Sequence, residues 1–375
     1  MAPMSESIDS EKVRALGREA GLDAVGVCLA DPFDDTRSEI ERRKAIGLSD
    51  TMQFTFRNPA RSTDPQRTLD SVQRLVVAAR SYRPKTRRRA DDSMAAPARI
   101  ADYAVSDYYA PLRAGLEVIA GALRSSGYSA RVVADDNAMV DRAAAHRAGL
   151  GWFGKNANLL LVGHGSQFVL GSVLTDAPLK TDAEIVEDGC GPCRRCITAC
   201  PTDAIIEPGV IDARRCLAWL VQKTGVFPRE YRVALADRIY GCDDCQTSCP
   251  VNRPADAGHP LPTSTEGYVD AVAMLQMDDE TLLANFGRWY IPRREPRYLR
   301  RNALLVIANT AQPEDPRVEG VVCSALASND EIIAAHAIWT ARRLGRDDWI
   351  AWLDCPRTDV IQQELELDVP VRAMF

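Results

Sequence analysis

Two cysteine runs decide how this chain folds: CGPCRRCITACP at residues 190–201 and CDDCQTSCP at residues 242–250. The first run has the spacing C-x2-C-x2-C-x3-C-P, in which three thiolates surround one [4Fe–4S] cluster and the fourth ligates a second cluster. The second run ends in the same way but lacks a first cysteine, and Cys216 is the natural replacement. The runs therefore predict a ferredoxin-type module with two [4Fe–4S] clusters over residues 181–262.

The predicted assignment divides eight cysteines between two clusters that take four ligands each. The first cluster is predicted to be held by Cys190, Cys193, Cys196 and, from the second run, Cys249. The second is predicted to be held by Cys242, Cys245, Cys216 and, from the first run, Cys200. Zinc is the alternative metal, because paired C-x2-C motifs also bind Zn²⁺, although zinc ribbons use two pairs rather than a triplet followed by C-P. The pattern favours clusters but does not name a reaction.

Composition and charge bound the class of protein. The 375 residues carry a net charge of −6 and 46 % are hydrophobic, which is typical of a globular protein with more than one domain. Three of the 11 cysteines lie outside the runs and are predicted to be incidental thiols: Cys28, Cys323 and Cys355. Because no apolar run reaches roughly 18 residues and the N-terminus lacks an apolar signal core, we expect a cytoplasmic protein.

Residues 1–180 alternate helical and extended patterns, which predicts an α/β domain around a central sheet. The predicted strands are 24–30, 74–81, 131–134, 159–162 and 168–174, and the predicted helices are 10–20, 108–126 and 139–147. Residues 85–89 and 91–98 are polar insertions, which we expect to form a mobile loop.

The sequence after the module changes in character. Segments 269–285, 298–310, 317–326 and 329–344 have apolar residues at helical spacing, without a strand pattern between them. Consecutive amphipathic helices favour HEAT-like helical repeats over residues 263–375. The whole chain is therefore predicted to be α+β, with an N-terminal α/β domain, a cluster module and a helical tail.

Two features before the cysteines are candidates for a functional site. Asp135 and Asp136 follow a predicted strand, where carboxylates often line a site, although an aspartate there can also simply cap the next helix. GLGWFGKN at residues 149–156 superficially matches two nucleotide-binding motifs. Both are rejected, because a helix precedes the glycines and Asn156 stands where Ser or Thr would hold Mg²⁺. What remains is a glycine-rich turn that lets the backbone approach a bulky ligand, or a plain tight turn.

With these motifs identified, the chain resembles the epoxyqueuosine reductases. The resemblance rests on residues 135–142, on AGLGWFGKN at 148–156, on GSQFVLG at 165–171 and on both cysteine runs, and it covers most of the chain. It implies an enzyme that uses cobalamin and two [4Fe–4S] clusters to remove the epoxide oxygen of epoxyqueuosine at the wobble position of tRNA, giving queuosine. An external electron donor and a monomeric state are also expected.

The resemblance also assigns roles to individual residues. Asp135, which lies fourteen residues before Gly149, matches the family's proton-donating aspartate. Asp141 matches an acid that supports Arg142 beside the corrin ring. The expected cobalamin contacts are Arg142, Leu159, Leu170, Asp244, Gln246 and Thr247. No Asp-x-His-x-x-Gly motif is present, so we expect no protein histidine on the cobalt.

The chain departs from the family's pattern at three places. Asp136 replaces a usual serine or threonine, and its carboxylate can raise the pKa of Asp135 by like-charge repulsion. Gln167 replaces a usual tryptophan, and residues 289–292 (WYIP) replace smaller residues before a basic helix.

A cluster of arginines gives this acidic chain a local basic patch: Arg288, Arg293, Arg294, Arg297, Arg300 and Arg301. Arg297, Arg300 and Arg301 are predicted to contact the phosphates of tRNA. The alternative is a solvated or ion-paired helix face. Two other functions also remain open at this point: an electron-transfer protein without cobalamin, and a cobalamin and iron–sulfur reductase that acts on a different small molecule.

Overall fold

The computed structural model describes residues 8–182, 184–253 and 262–372. By their internal contacts these residues separate into two units. The first contains the described residues of 1–83, 106–214 and 244–259, and the second contains those of 84–105, 215–243 and 260–375. Each unit is therefore assembled from three separate stretches of chain. Within the described residues, no helix is both long and apolar enough to cross a bilayer.

The helices and strands of the described residues follow one another along the chain. The strands are β1 (Ala24–Leu29), β2 (Arg74–Ser81), β3 (Arg87–Arg88), β4 (Pro97–Ile100), β5 (Ala130–Val133), β6 (Gly151–Phe153), β7 (Leu159–Leu161), β8 (Phe168–Thr175), β9 (Ile205–Glu207), β10 (Val210–Ile211), β11 (Arg238–Tyr240), β12 (Thr263–Ser264) and β13 (Tyr268–Asp270). The α-helices are α1 (Ser10–Glu19), α2 (Asp34–Ala45), α3 (Pro59–Ser62), α4 (Tyr109–Ser125), α5 (Asp141–Arg147), α6 (Arg195–Thr198), α7 (Leu217–Leu220), α8 (Asp244–Thr247), α9 (Ala271–Gln276), α10 (Asp279–Phe286), α11 (Arg297–Thr310), α12 (Pro316–Leu326), α13 (Glu331–Arg343) and α14 (Asp359–Glu366).

A four-stranded sheet forms the centre of the first unit, in the order β1-β2-β8-β5 with every neighbouring pair antiparallel. These strands confirm the predicted central sheet. Strands β2 and β8 are almost wholly buried, as their nearly unbroken apolar sequences indicate. Helices α4 and α5 pack on opposite faces, because Gly171 faces Leu116 of α4 whereas its neighbour Leu170 shares a core with Ala144 of α5.

The glycine-rich segment 149–156, predicted to be a turn, contains the short strand β6 between two turns. Strand β6 pairs antiparallel with β7, and the Gly154 N–H donates to the Asn158 carbonyl at 2.8 Å to close the turn between them. Gly151 is required inside this hairpin, because a Cβ there would lie 2.0 Å from the Leu160 carbonyl oxygen. The predicted turn is present at both ends of the segment, at Gly149 and at residues 154–156, but the strand between them was missed, since a three-residue strand that begins with glycine has too short an alternation to recognise.

Residues 85–89 and 91–98, predicted to form a mobile loop, contain strand β3 and the beginning of strand β4, which belong to the second unit. Strand β4 lies between β11 and β13 in a three-stranded sheet, and β3 pairs with β12. Ala96 and Ala98 are completely buried in the core of this unit. The prediction missed these two strands because every partner of the short strands is distant in sequence, so local composition carries no sign of the pairing.

Helices α9 to α14 belong to the second unit. Three of them, α11, α12 and α13, confirm the helices predicted at 298–310, 317–326 and 329–344. The single helix predicted over 269–285 was wrong, because Met277 is extended and Asp278 starts a new helix by accepting a hydrogen bond from the Thr281 N–H. Helix α11 packs against α9 and α13, and α12 packs against α13. The HEAT-like character of this tail stays a prediction.

Arg301, predicted to contact tRNA phosphates, is instead completely buried on the inner face of α11. Its guanidinium donates to four carbonyl oxygens, those of Leu220, Val221, Lys223 and Gly225, at 2.6 to 3.2 Å. These carbonyls belong to the last residue of α7 and the segment after it, where a helix leaves its acceptors unpaired. The prediction was wrong because Arg301 holds α11 to this segment and is therefore withdrawn from the surface.

We expect Arg301→Ala to lower the free energy of unfolding by roughly 3 kcal/mol or more, because each buried carbonyl that loses its donor costs about 1–3 kcal/mol. Arg300→Ala is the matched control. Arg300 pairs with an exposed acid, Asp279, so its loss should cost about 1 kcal/mol or less. Denaturant unfolding of the cluster-loaded protein, followed by circular dichroism, measures both. Equal losses in the two variants would contradict the anchoring role.

Candidate active site

Asp135 lies where the chain leaves β5 and turns toward α5. Its backbone is in the left-handed region at φ 54°, which aspartate adopts more readily than most residues. Asp136, rather than Asp135, bonds the following backbone, since its Oδ1 accepts from the Ala138 N–H at 2.8 Å. The Asn137 Oδ1 accepts from the Thr55 N–H at 2.9 Å. These bonds shape the loop, and the side chain of Asp135 is exposed.

The surroundings of Asp135 favour its protonated form. Desolvation by the surrounding chain is the main cause that raises the pKa of this carboxyl, and the charges of Asp136 and Asp107 raise it further, whereas Arg113 opposes them. Arg113 is held in place by a hydrogen bond to the Ala134 carbonyl at 3.0 Å. The replacement at Asp136 therefore acts in the direction that the sequence predicts.

Asp141, the first residue of α5, is the more strongly perturbed carboxyl. Burial raises its pKa well above the usual range, the charge of Asp135 adds to this effect, and Arg142 opposes it. Its Oδ1 is buried and accepts no hydrogen bond from the described residues. Arg142 is exposed and donates to the Ala157 carbonyl at 3.2 Å. The structure thus brings Asp135, Asp141 and Arg142 together.

Tyr109 and Arg113 belong to the same site and were missed from the sequence. Burial raises the pKa of the Tyr109 hydroxyl, and the charges of Asp135 and Asp141 add to it, which places the ring beside both carboxyls. The Arg113 guanidinium lies 5.5 Å from the centre of the Tyr109 ring. One helical turn separates the two residues on α4, so their spacing was an available signal. It was overlooked because the apolar face of α4 dominates the pattern.

The pairing of β5 with β8 ends before Leu170. The Tyr82 N–H donates to the Gln167 carbonyl, so Gln167 bonds to β2 and every second residue of β8 after it does the same. Leu170 lies between two such residues, and its backbone N–H and C=O therefore point to the β5 side. There β5 ends opposite Ser172, so no strand of the described chain covers Leu170. The side chains of Leu170 and Leu159 are buried in one core, which leaves their backbones as the groups that can face a ligand.

Helix α8 carries three of the predicted cofactor residues: Asp244, Gln246 and Thr247. Gln246 is buried, and its Oε1 accepts from the Ser166 hydroxyl at 2.9 Å and from the Tyr82 hydroxyl at 3.4 Å. The Asn252 Nδ2 donates to the Gln246 carbonyl and to the Ser166 Oγ, each at 2.8 Å. Thr247 is exposed. This network fixes α8 against the segment that precedes β8.

Four cysteines from both runs come together in the first unit. Desolvation raises the pKa of the Cys249 thiol, and the negative charges of Cys190 and Cys193 raise it further. Cys196 is affected in the same way, by desolvation first and then by Cys190 and Cys249. Such mutual effects require neighbouring side chains. The fold therefore places Cys249 beside the first run, where the predicted crossover needs it.

The cysteines predicted to hold the second cluster divide between the two units. Cys200 and Cys245 belong to the first unit, and Cys216 and Cys242 belong to the second, so this ligand set stays a prediction. Across the part of the chain that the structure describes, no three histidine, cysteine or acidic side chains surround the position of a single metal ion.

An open groove of about 890 Å³ lies among the helices of the second unit. Four arginines line it: Arg294, Arg297, Arg300 and Arg317. Arg297 pairs with Glu295 at 3.0 Å and with Asp330 at 3.3 Å, and Arg300 pairs with Asp279 at 2.5 Å. Arg297 and Arg300 are therefore ion-paired, as the alternative interpretation of the basic patch predicts. A phosphate would have to compete with these acids for the two arginines.

Comparison with known proteins gives this arrangement a context. Residues 189–252 match the family described as a 4Fe-4S double cluster binding domain. The chain is 32 % identical over 344 residues to an epoxyqueuosine reductase of Vibrio cholerae, covering 88 % of this chain and 90 % of that protein.

Two solved structures share the fold. An epoxyqueuosine reductase with an epoxyqueuosine-modified tRNA-Tyr stem loop has a TM-score of 0.82 and 26 % identity, covering 95 % of this chain and 96 % of that one. A Bacillus subtilis epoxyqueuosine reductase, solved with its catalytic aspartate loop swung out of the active site, has a TM-score of 0.82 and 25 % identity, covering 95 % and 97 %.

We expect about eight irons per chain after anaerobic reconstitution, and about four in either Cys196→Ala or Cys249→Ala, because each cubane holds four irons. The double variant tests whether Cys196 and Cys249 are ligands of the same cluster. If both cysteines serve one cluster, Cys196→Ala with Cys249→Ala retains the same iron as each single variant. Complete loss of iron from the double variant would contradict the assignment. Cys323→Ala, a half-buried cysteine outside the runs, is the matched control and should keep the full content.

Proposed function

The chain belongs to the epoxyqueuosine reductase family, and we propose that it removes the epoxide oxygen of epoxyqueuosine at the wobble position of tRNA, giving queuosine. The observation that carries this proposal is the 32 % identity to a named reductase over 90 % of that protein's length. The raised pKa of the Asp135 carboxyl and the gathered cysteines support the proposal, because the reaction requires a proton donor and a path for electrons.

Removal of the epoxide oxygen consumes two electrons and two protons. Both carbon–oxygen bonds break, a carbon–carbon double bond forms, and the oxygen leaves as water. A [4Fe–4S] cluster passes one electron at a time, so two clusters can relay the pair in succession from an external one-electron donor. For the second cluster we propose the ligands Cys200, Cys216, Cys242 and Cys245.

Cobalamin fits the residues around Asp141. Within the described chain the buried Asp141 Oδ1 has no hydrogen-bond donor, and no strand pairs with Leu170 on the β5 side, so this region offers both a hydrogen-bond acceptor and an unpaired strand edge to the amide groups that surround a corrin ring. The residues proposed to hold it are Arg142, Leu159, Leu170, Asp244, Gln246 and Thr247. When bound and fully reduced, cobalamin supplies a strong nucleophile for an epoxide carbon.

Asp135 is proposed as the general acid for the departing oxygen. A raised pKa increases the protonated fraction of this carboxyl at a given pH, which suits a general acid. Its place in the loop between β5 and α5 suits a group that must approach a bound substrate, and in the Bacillus subtilis relative the catalytic aspartate loop is seen swung out. Asp141, whose Oδ1 is buried, is proposed to support Arg142.

The tRNA substrate is proposed to contact the helical tail. The relative solved with a tRNA stem loop supports RNA binding by this family. We propose that Arg297 and Arg300 contact phosphates, which would replace the acidic side chains that now pair with these arginines. Arg293 adds an accessible charge nearby, with its side chain 81 % exposed. We further propose that residues 1–180 bind cobalamin, that 181–262 hold the clusters and that 263–375 form HEAT-like repeats, in a cytoplasmic monomer.

The function is tested in a bacterial strain that lacks its own reductase. We expect the chain to convert epoxyqueuosine to queuosine in tRNA, as measured by mass spectrometry of the wobble nucleosides. Asp135→Asn keeps the shape and removes the proton, so turnover of the purified enzyme should fall by roughly 10² to 10⁴ while iron content is unchanged. Since the acid must be protonated, turnover of the unaltered enzyme should fall as pH rises through the raised pKa of Asp135.

Asp141→Asn is the matched control for the acid and should cost much less turnover. If Asp141→Asn abolishes turnover while Asp135→Asn stays active, the acid is Asp141. If epoxyqueuosine persists in the strain that carries the unaltered chain, the proposed substrate is wrong.

Arg297→Ala should weaken binding of a tRNA stem loop and lower the slope of log K against log salt by about 1, because one phosphate contact is lost. The matched control is Arg89→Ala in the same unit, where the side chain is 67 % exposed and pairs with Asp92. Fluorescence anisotropy over a series of salt concentrations measures both variants. Equal slopes in Arg297→Ala and the unaltered protein would remove Arg297 from the RNA-binding surface.

A further inference from the structure

The hairpin turn at residues 154–158 contacts the loops of both cysteine runs. The Lys155 Nζ donates to the carbonyl oxygens of Gly191 at 2.5 Å and Cys193 at 3.0 Å, in the first run. The buried Asn156 donates from its Nδ2 to the Cys245 carbonyl at 3.3 Å, in the second run. The turn therefore places an ammonium charge against one cluster loop and a neutral amide against the other.

The turn is fixed from several sides, so these contacts are not those of a freely moving surface side chain. The Asn156 Oδ1 accepts from the Asn158 N–H at 3.2 Å, which closes the turn internally. The Lys155 carbonyl accepts from the Gly209 N–H at 2.9 Å. Lys155 is itself half-buried, which reduces the screening of its charge by water and salt.

We propose that Lys155 is a positioning residue that holds the loop of the first cluster and raises that cluster's reduction potential through its positive charge. The inference rests on the proposed function only for the assignment of the clusters. When the cluster accepts one electron from an external reductant, its net charge becomes more negative by one and no bond breaks. A fixed ammonium beside the loop therefore stabilises the reduced form more than the oxidised form.

The charges around the first run do not all act in this direction. Asp188 accepts from the Cys190 N–H at 2.8 Å and disfavours reduction, but this carboxylate is exposed and so more strongly screened. Lys155 donates directly to two carbonyls of the loop, so we expect its charge to have the larger effect. Toward the second run, this turn contributes the neutral amide of Asn156.

The test is a redox titration of the reconstituted full chain, followed by electron paramagnetic resonance. Lys155→Met should lower the midpoint potential of one of the two reduction steps and leave the other in place. Lys155→Arg keeps the charge and should stay close to the unaltered protein. Lys44→Met is the matched control, because the Lys44 Nζ also donates to a backbone carbonyl, that of Phe56 at 3.2 Å, outside the cysteine runs. It should shift neither step.

Unchanged potentials in a fully loaded Lys155→Met protein would overturn the proposal, as would an equal shift in Lys155→Arg. If Lys155→Met loses iron while Lys155→Arg does not, the holding role is supported, and Lys155→Gln then tests the charge, because it keeps an N–H donor without an ammonium. An unshifted Lys155→Gln would overturn the charge effect. None of these measurements uses tRNA. A negative result for Lys155 can therefore be told apart from failure of the proposed function, which would appear as epoxyqueuosine that persists in the nucleoside analysis.

Discussion

The meeting of two cysteine runs that are distant in sequence is the constraint on which the rest of this fold depends. Cys249 must lie beside Cys190 and Cys193, and the two short helices that follow these loops, α6 and α8, are accordingly in contact. The chain between the runs leaves the first unit after the first run and returns to it before Cys249. Residues 215–243 do so by contributing α7 and β11 to the second unit, where Leu217 and Leu220 are buried. The separated segments of both units follow from this crossover.

The position of α8 depends in turn on a buried polar network rather than on apolar packing alone. Gln246, Ser166 and Asn252 satisfy one another, and Gly165 is required beside them because a Cβ there would lie 2.0 Å from the Asn252 Oδ1. In such a network the loss of one member leaves the others unsatisfied. Since Ser166 precedes β8 and β8 carries Leu170, the same bonds relate the cysteine helix to the backbone edge proposed to face cobalamin.

The sequence predicted those parts of the fold whose signal is local. The periodic helix α4 and the apolar strands β2 and β8 are examples, as is the cysteine spacing. Strand β4 was beyond prediction because its partners come from distant segments. Arg301 was misread because its basic neighbours suggest a surface, although it lies three residues after the buried Tyr298 and four before the buried Leu305, which is the spacing of an inner helix face.

The candidate site was predictable to a similar degree. Asp135 follows a recognisable strand and begins a motif, so its position in the loop could be expected. Tyr109 and Arg113 could not be joined to it from the sequence, because only the packing of α4 against β5 and β8 brings them near the end of β5. Their spacing on α4 relates them to each other but not to a carboxyl more than twenty residues away.

The left-handed backbone at Asp135 has a genetic consequence. The substitutions that suit this conformation best are asparagine and glycine, and every aspartate codon lies one base change from a codon for each. Both replacements remove the carboxyl while leaving the chain unstrained. Under the proposed mechanism, we expect alleles with either replacement to encode protein that folds, accumulates and loads its clusters without turning over its substrate. A survey that measures the abundance or solubility of natural variants would not detect these alleles. Only analysis of the modified nucleoside in tRNA would reveal the defect.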